Sequence, residues 1–179
     1  KFKLFLLKHV SENSTATYFS IFKAMLNQAI KYNIISKNPA KFISTPKKRV
    51  DREYLLFEEI RLLAATVSKY PHITNGFLFS CFTGLRISDI KNLKWVNIKN
   101  NTLEYTQQKT GLIQKIKINS SALGILEKQK RIAKGKLIFK LPKSNSNCNK
   151  HLKEWVPQAA ITKHITFHCS RHTFATLCL

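Results

Sequence analysis

Arg86 in "TGLRISDI", Lys109 in "QQKTG", and His168 with Arg171 in "FHCSRHTFATLCL" are polar groups set where the surrounding apolar pattern does not call for them. Taken singly, each has an ordinary role. Arg86 can pair with Asp89 three residues on, Lys109 can be a turn lysine, and His168 can be a hydrogen-bonded core histidine. Together they match the needs of a phosphodiester under attack. Negative charge gathers on its non-bridging oxygens, guanidinium forks fit that geometry, and two arginines from distant segments can clamp it. A lysine can protonate a departing ribose oxygen, and a histidine can position or deprotonate the attacking hydroxyl. None of these steps requires a metal or another cofactor.

The composition points to the same substrate. The 179 residues carry 31 Lys+Arg against 9 Asp+Glu, a formal net charge of +22. Such a chain calls for a polyanion, and nucleic acid leads because basic residues stand beside aromatics and the candidate catalytic groups. A solvated lysine-rich surface is the plainer reading of the charge. A membrane is the rival partner, yet no apolar run reaches the roughly 18 residues a spanning helix needs, and no membrane partner or signal peptide is expected. Cys81, Cys148, Cys169 and Cys178 form no C-x-x-C pair and read as free thiols of a reducing cytoplasm. A zinc site from His168, Cys169, His172 and Cys178 lacks a second ligand pair elsewhere in the sequence, so no metal is expected.

The elements that must position these groups are legible by periodicity. From Ser14 to about Asn33, Tyr18, Phe22, Met25, Leu26, Ala29 and Ile30 recur at helical spacing, with Ser14 or Thr15 as cap and "NIISKNPAKF" closing the helix. Residues 44–52, "STPKKRVDR", hold five charges, four of them basic, and read as a linker able to cross a phosphate backbone through Lys47, Lys48 and Arg49. "YLLFEEIRLLAATVSK", the almost wholly apolar "ITNGFLFSCFTG" and the short "RISDIKNL" read as helices. "TLEYTQQ" and "IQKIKI" flank "KTG" as a hairpin with Lys109 at its tip and Ile113, Ile116 and Ile118 alternating with lysines. Helices follow at about 121–132 and 146–160, and the last thirteen residues open another. Strands confined to the middle of a helical chain give an α+β fold with a small antiparallel sheet.

"TGLRISDIKNLKW" resembles the first-arginine motif of the tyrosine recombinase, or phage integrase, family, and "HCSRHTFAT" resembles its histidine-x-x-arginine motif. The hairpin lysine falls where that family requires one. "STATYFSIFKAMLNQAIKYNIISKNPAKF" is similar to the end of the helical core-binding domain, and the wording near the C-terminus is similar to integrases of bacterial conjugative transposons such as those of Bacteroides. The resemblance implies residues 1–45 as the end of a core-binding domain, 46–52 as linker and 53–179 as a catalytic domain. It implies Arg86 and Arg171 on the scissile phosphate, Lys109 as general acid, His168 in proton transfer, and Asp89 and His172 in support. Ser170 stands where many members carry an apolar residue.

The family's nucleophile is a tyrosine downstream of the histidine-x-x-arginine motif, which forms a 3′-phosphotyrosyl link to DNA. Tyr18, Tyr32, Tyr54, Tyr70 and Tyr105 all lie upstream. The resemblance therefore implies a fragment that binds duplex DNA without cleaving it, a monomer without DNA, from a parent that works as a homo-tetramer on DNA. A non-catalytic DNA-binding protein is the alternative. A metal-dependent nuclease is weaker, since the acids form no carboxylate cluster.

Overall fold

The computed structural model describes residues 1–45, 47–48 and 51–179, so Arg49 lies outside the described residues. The chain divides into two compact units, Lys1–Asp51 and Arg52–Leu179.

The first unit holds α1 (Phe2–His9) and α2 (Glu12–Lys31). The apolar opening of the chain forms α1 because Leu6 and Phe2 have partners on α2: Leu6 is buried with Phe19 and Ala40, and the Phe2 ring lies 4.9 Å from that of Phe22. The buried stripe of α2 runs through Phe19, Phe22 and Leu26, whereas Tyr18 and Met25, expected inward, are exposed. The cap also lies earlier than expected. Ser11 Oγ accepts from the Ser14 amide, placing the cap three residues before Ser14 and starting the helix at Glu12. Asn33 closes the helix at φ 56°, a left-handed geometry that asparagine tolerates. Asn38 then pins the following turn, accepting from the Ala40 amide and donating to Asn27.

The second unit is α+β. It contains α3 (Phe57–Ala65), α4 (Pro71–Thr83), α5 (Ile87–Asn92), the antiparallel strands β1 (Ile98–Lys99), β2 (Thr102–Thr106) and β3 (Ile113–Lys117), then α6 (Ser120–Ile132), α7 (Asn145–Trp155) and α8 (Cys169–Leu177). Helix α4 is its centre. Pro71 suits the first helical turn, where no backbone donor is needed, and Phe77, Phe79 and Cys81 are fully buried. Being apolar all round, α4 is packed by α6 and α8 as well as α5 and α7. Each of its large side chains contributes about 1.5–3 kcal/mol of burial.

Helix α4 stops at Gly84, which adopts φ 68° and returns its amide to the Ser80 carbonyl. A Cβ at Gly84 would sit 2.5 Å from Phe174 Cδ1, so this turn is both left-handed and pressed against α8. "LKWVNI" begins with a short 3-10 turn, Trp95–Asn97, before β1. In the hairpin, Leu103 pairs with Ile116 and Tyr105 with Gln114, placing Leu103 and Tyr105 on one face. Ile113, grouped by the alternation with Ile116 and Ile118, is exposed, while those two turn towards the core. The segment "KLIFKLP" contributes a single bridge, Leu137 to Lys94, and buries Ile138 and Phe139. Among the described residues, no helix is long and apolar enough to cross a membrane.

Candidate nucleic-acid interface and active site

The α4–α5 turn and the start of α8 bring two arginines together. Arg86 occupies the N-cap position of α5 in extended geometry, and Arg171 lies in the first turn of α8. Arg171 reaches back to the turn, where its Nη1 donates to the Gly84 carbonyl. Partial burial and the neighbouring Arg86 charge pull the Arg171 pKa down, against the opposing pull of Tyr105 and Asp89. Two guanidiniums close enough to repel each other form an electropositive site for an anion.

Asp89 is the balancing charge. It is 2% exposed, and its Oδ1 accepts from the Gln108 amide at 2.9 Å. This bond joins α5 to the hairpin loop one residue before Lys109. The ordinary Arg86–Asp89 pairing is not made: among the described residues neither forms an ion pair, and Arg86 Nη1 and Asp89 Oδ2 are both buried without a hydrogen-bond partner. A buried guanidinium nitrogen without an acceptor is costly, and the cost is relieved when an anionic oxygen arrives.

Lys109 is exposed in the loop between β2 and β3. That loop is closed by the Gln107 amide donating to the Leu112 carbonyl and by Gly111 at φ 71°. His168 is also exposed, at the N-cap of α8, and its ring meets that of His172 edge-on at 4.9 Å. Partial burial, His168, Arg52 and Arg171 together lower the His172 pKa, favouring its neutral form. The structure thus gathers Arg86, Asp89 and Arg171, sets His168 and His172 side by side one helical turn apart, and ties the loop of Lys109 to Asp89.

In the first unit, Lys47 is exposed, and Lys48 forms an exposed 2.8 Å ion pair with Glu12, worth at most about 1 kcal/mol. The Lys48 backbone is held on both sides by Asn13. The zinc reading finds no support in the cysteines. Cys169 is buried with its Sγ against the Thr166 amide, Cys178 is exposed, and no group of three metal-ligating side chains occurs among the described residues.

Two family models tile the chain: the phage integrase family over residues 53–178 and the phage integrase SAM-like domain over residues 1–50. The chain belongs to the phage integrase family. It is 37% identical over 83 residues to the integrase of Enterobacteria phage P21, covering 46% of this chain and 22% of that protein. It is 25% identical over 184 residues to tyrosine recombinase XerC of Psychromonas ingrahamii, covering 94% of this chain and 62% of that one. The chain therefore spans less than two thirds of the length of either relative. Lambda integrase residues 75–356 bound to DNA superpose with a TM-score of 0.81 at 22% identity, over 98% of this chain and 68% of that one. The Tn1549 transposon integrase in complex with circular intermediate DNA gives a TM-score of 0.77 at 20% identity, over 98% and 69%. At these identities the likeness carries the fold.

One residue beside this cluster in the phage-integrase-family chain escaped sequence reasoning. Tyr105 is half-buried on β2, and its pKa is raised by desolvation and by Asp89, against the lowering pull of Arg171 and Arg86. With Asp89, Lys94, Asn97, Thr106 and Gln108 it lines a cavity of about 320 Å³. Its phenol therefore keeps its proton. The available signal was its period-two relation to Leu103, which put it on the inward face of the strand.

Proposed function

We propose that this chain is the DNA-gripping and phosphate-activating part of a site-specific recombinase. The carrying observation is the convergence of Arg86 and Arg171 beside buried Asp89, with Arg86 Nη1 lacking an acceptor. In this reading the two guanidiniums hold the non-bridging oxygens of a scissile phosphate and stabilise the charge that grows there during attack. Lys109, on a loop whose backbone is anchored to Asp89, protonates the leaving ribose oxygen. His168 assists proton transfer, and neutral His172 packs against its ring. Lys47, Lys48 and Arg49 contribute backbone contacts to duplex DNA. No cofactor takes part.

The proposed chemistry is strand cutting and rejoining by transesterification through a 3′-phosphotyrosyl intermediate. Tyr105, neutral and set on a strand of the sheet, is assigned as a donor in the site and not as the nucleophile. The family membership, a XerC relative matched over 94% of the chain and the fold shared with DNA-bound integrases support the reading. The fold shared with the Tn1549 integrase accords with a mobile-element origin. Assembly as a tetramer on DNA belongs to the same proposal.

The test compares this chain with one that also carries the family's tyrosine-bearing segment, each incubated with a nicked duplex that traps covalent intermediates. An adduct from the longer chain, abolished by Arg86→Ala or Arg171→Ala, supports the recombinase. If neither chain forms an adduct while both bind DNA equally, the protein is a non-catalytic DNA binder.

A further inference from the structure

The turn that carries Arg86 and the helix that carries Arg171 are joined a second time, by hydroxyls sealed in the core. Ser80, on the last turn of α4, and Ser170, at the start of α8, are both 0% exposed, and their Oγ atoms lie 2.6 Å apart across 90 residues of sequence. Ser80 Oγ also stands 2.7 Å from the Leu85 carbonyl, and Ser170 Oγ stands 2.6 Å from the Phe167 carbonyl. Three short contacts therefore compete for two protons, since each hydroxyl carries one.

The carbonyls decide where the protons go. Phe167 O already accepts from the Ser170 amide at 3.3 Å, whereas Leu85 O has no donor other than Ser80 among the described hydrogen bonds. Leu85 is 2% exposed, so leaving its carbonyl unpaired carries a desolvation penalty. The arrangement that leaves no buried acceptor empty sends the Ser80 proton to Leu85 O and the Ser170 proton to Ser80 Oγ. Hydrogen bonds in such a chain strengthen one another.

Leu85 O belongs to the peptide that enters Arg86. The carbonyl just before it, Gly84 O, is gripped by Arg171 itself. Consecutive carbonyls of the turn are thus held from α8, one by the Arg171 guanidinium and one through Ser170 and Ser80. We propose that Ser80 and Ser170 are positioning residues: a directed pair of hydroxyls through which α8 fixes the Leu85–Arg86 peptide, and with it the separation of the two arginines. This deepens the phosphate-site reading and rests on it.

The direction of the pair gives unequal consequences. Ser80→Ala empties Leu85 O and releases Ser170 to Phe167 O, so the Arg86 peptide loses its tether. Ser170→Ala leaves the Ser80–Leu85 bond in place and removes only its reinforcement.

The experiment uses the isotope-labelled 179-residue chain with inorganic phosphate as the probe. It follows by NMR the Nε–Hε signals of Arg86 and Arg171, assigned through Arg86→Lys and Arg171→Lys, and the Arg86 backbone amide. In the parent chain both side-chain signals titrate with one Kd. Ser80→Ala raises that Kd, by about tenfold where the cost of the lost Leu85 tether falls on the phosphate-bound geometry, and strongly shifts the Arg86 amide. Ser170→Ala changes the Kd by no more than about twofold on the same reasoning, and the double variant matches Ser80→Ala.

Equal or larger effects from Ser170→Ala, or additive effects in the double variant, overturn the proposed direction. A folded Ser80→Ala chain with unchanged Kd and amide overturns the proposal. If Ser80→Ala does not fold, Ser80→Cys, similar in size but a weak donor, must raise the Kd; an unchanged value is equally fatal. Arginines silent to phosphate in the parent chain remove the phosphate-site reading instead, and the Arg86 amide response to Ser80→Ala then judges the hydroxyl pair alone.

Discussion

Asp89 does two jobs that a single substitution can separate. Its charge offsets Arg171, and its Oδ1 holds the Gln108 amide, the point where the hairpin loop meets α5. Asp89→Asn keeps an oxygen for Gln108, so the Gln108 amide stays protected from hydrogen exchange. Asp89→Ala leaves that donor without its acceptor. It should cost about 1–3 kcal/mol in denaturant unfolding and make the Gln108 amide exchange rapidly. The arginines answer to a different measurement. If each grips one phosphate of duplex DNA, Arg86→Ala or Arg171→Ala reduces the slope of log K against log salt by about 0.9. Arg171→Ala should also lower the melting temperature, because Gly84 O loses its guanidinium partner. An unchanged slope in both variants would remove them from the DNA contact.

At the scale of elements, the junction between the α4–α5 turn and α8 carries the site, and Gly84 is its tightest point. Gly84→Ala forces a side chain into left-handed geometry and onto Phe174, at a cost of at least about 1–2 kcal/mol from the backbone alone. Placing the same change in a Phe174→Ala background removes the contact but not the backbone cost. The measured penalty of Gly84→Ala should therefore be smaller there, without vanishing. Helix α8 also imposes a pH dependence. Burial, His168, Arg52 and Arg171 lower the folded-state pKa of His172 below its ordinary value of about 6.5. As pH falls through that range the unfolded chain takes up a proton that the folded chain resists, so stability present at neutral pH is lost on acidification. His172→Gln should flatten the acid side of a melting-temperature profile. An unaltered profile would show that other groups control it.

For the whole molecule, the prediction concerns whether any of this chain's five tyrosines serves as the nucleophile of the proposed chemistry. The five tyrosines fall on α2 and its end, before α3, before α4 and on β2, away from the α8 motif in sequence. The 179-residue chain should bind duplex DNA strongly, with a steep salt dependence fitting its +22 charge, and leave no covalent adduct on a nicked duplex after denaturing electrophoresis. An adduct mapping to Tyr105 would overturn both the assignment of that residue as a donor and the proposed inactivity of this chain.

The sequence by itself determined the residue types, their order and the elements that bear them. The all-apolar run that became α4, the glycine that ends it, the alternation that became β2 and β3, and the Gly-containing loop with Lys109 each rest on local backbone and side-chain rules that act within a few residues. The first arginine and the histidine-x-x-arginine motif were legible differently, through the resemblance of two short contiguous stretches to the family's motifs. Helix α1 was not legible, because its eight residues are held by Phe19 and Phe22 of α2, a contact that lies outside any local pattern. Only the tertiary structure decided that Arg171 grips Gly84, that Ser170 meets Ser80, that Asp89 binds Gln108 and that Tyr105 shares their space. Each of these pairings joins segments brought together by burial of apolar faces elsewhere, and a polar group's partner is settled by which core closes beside it.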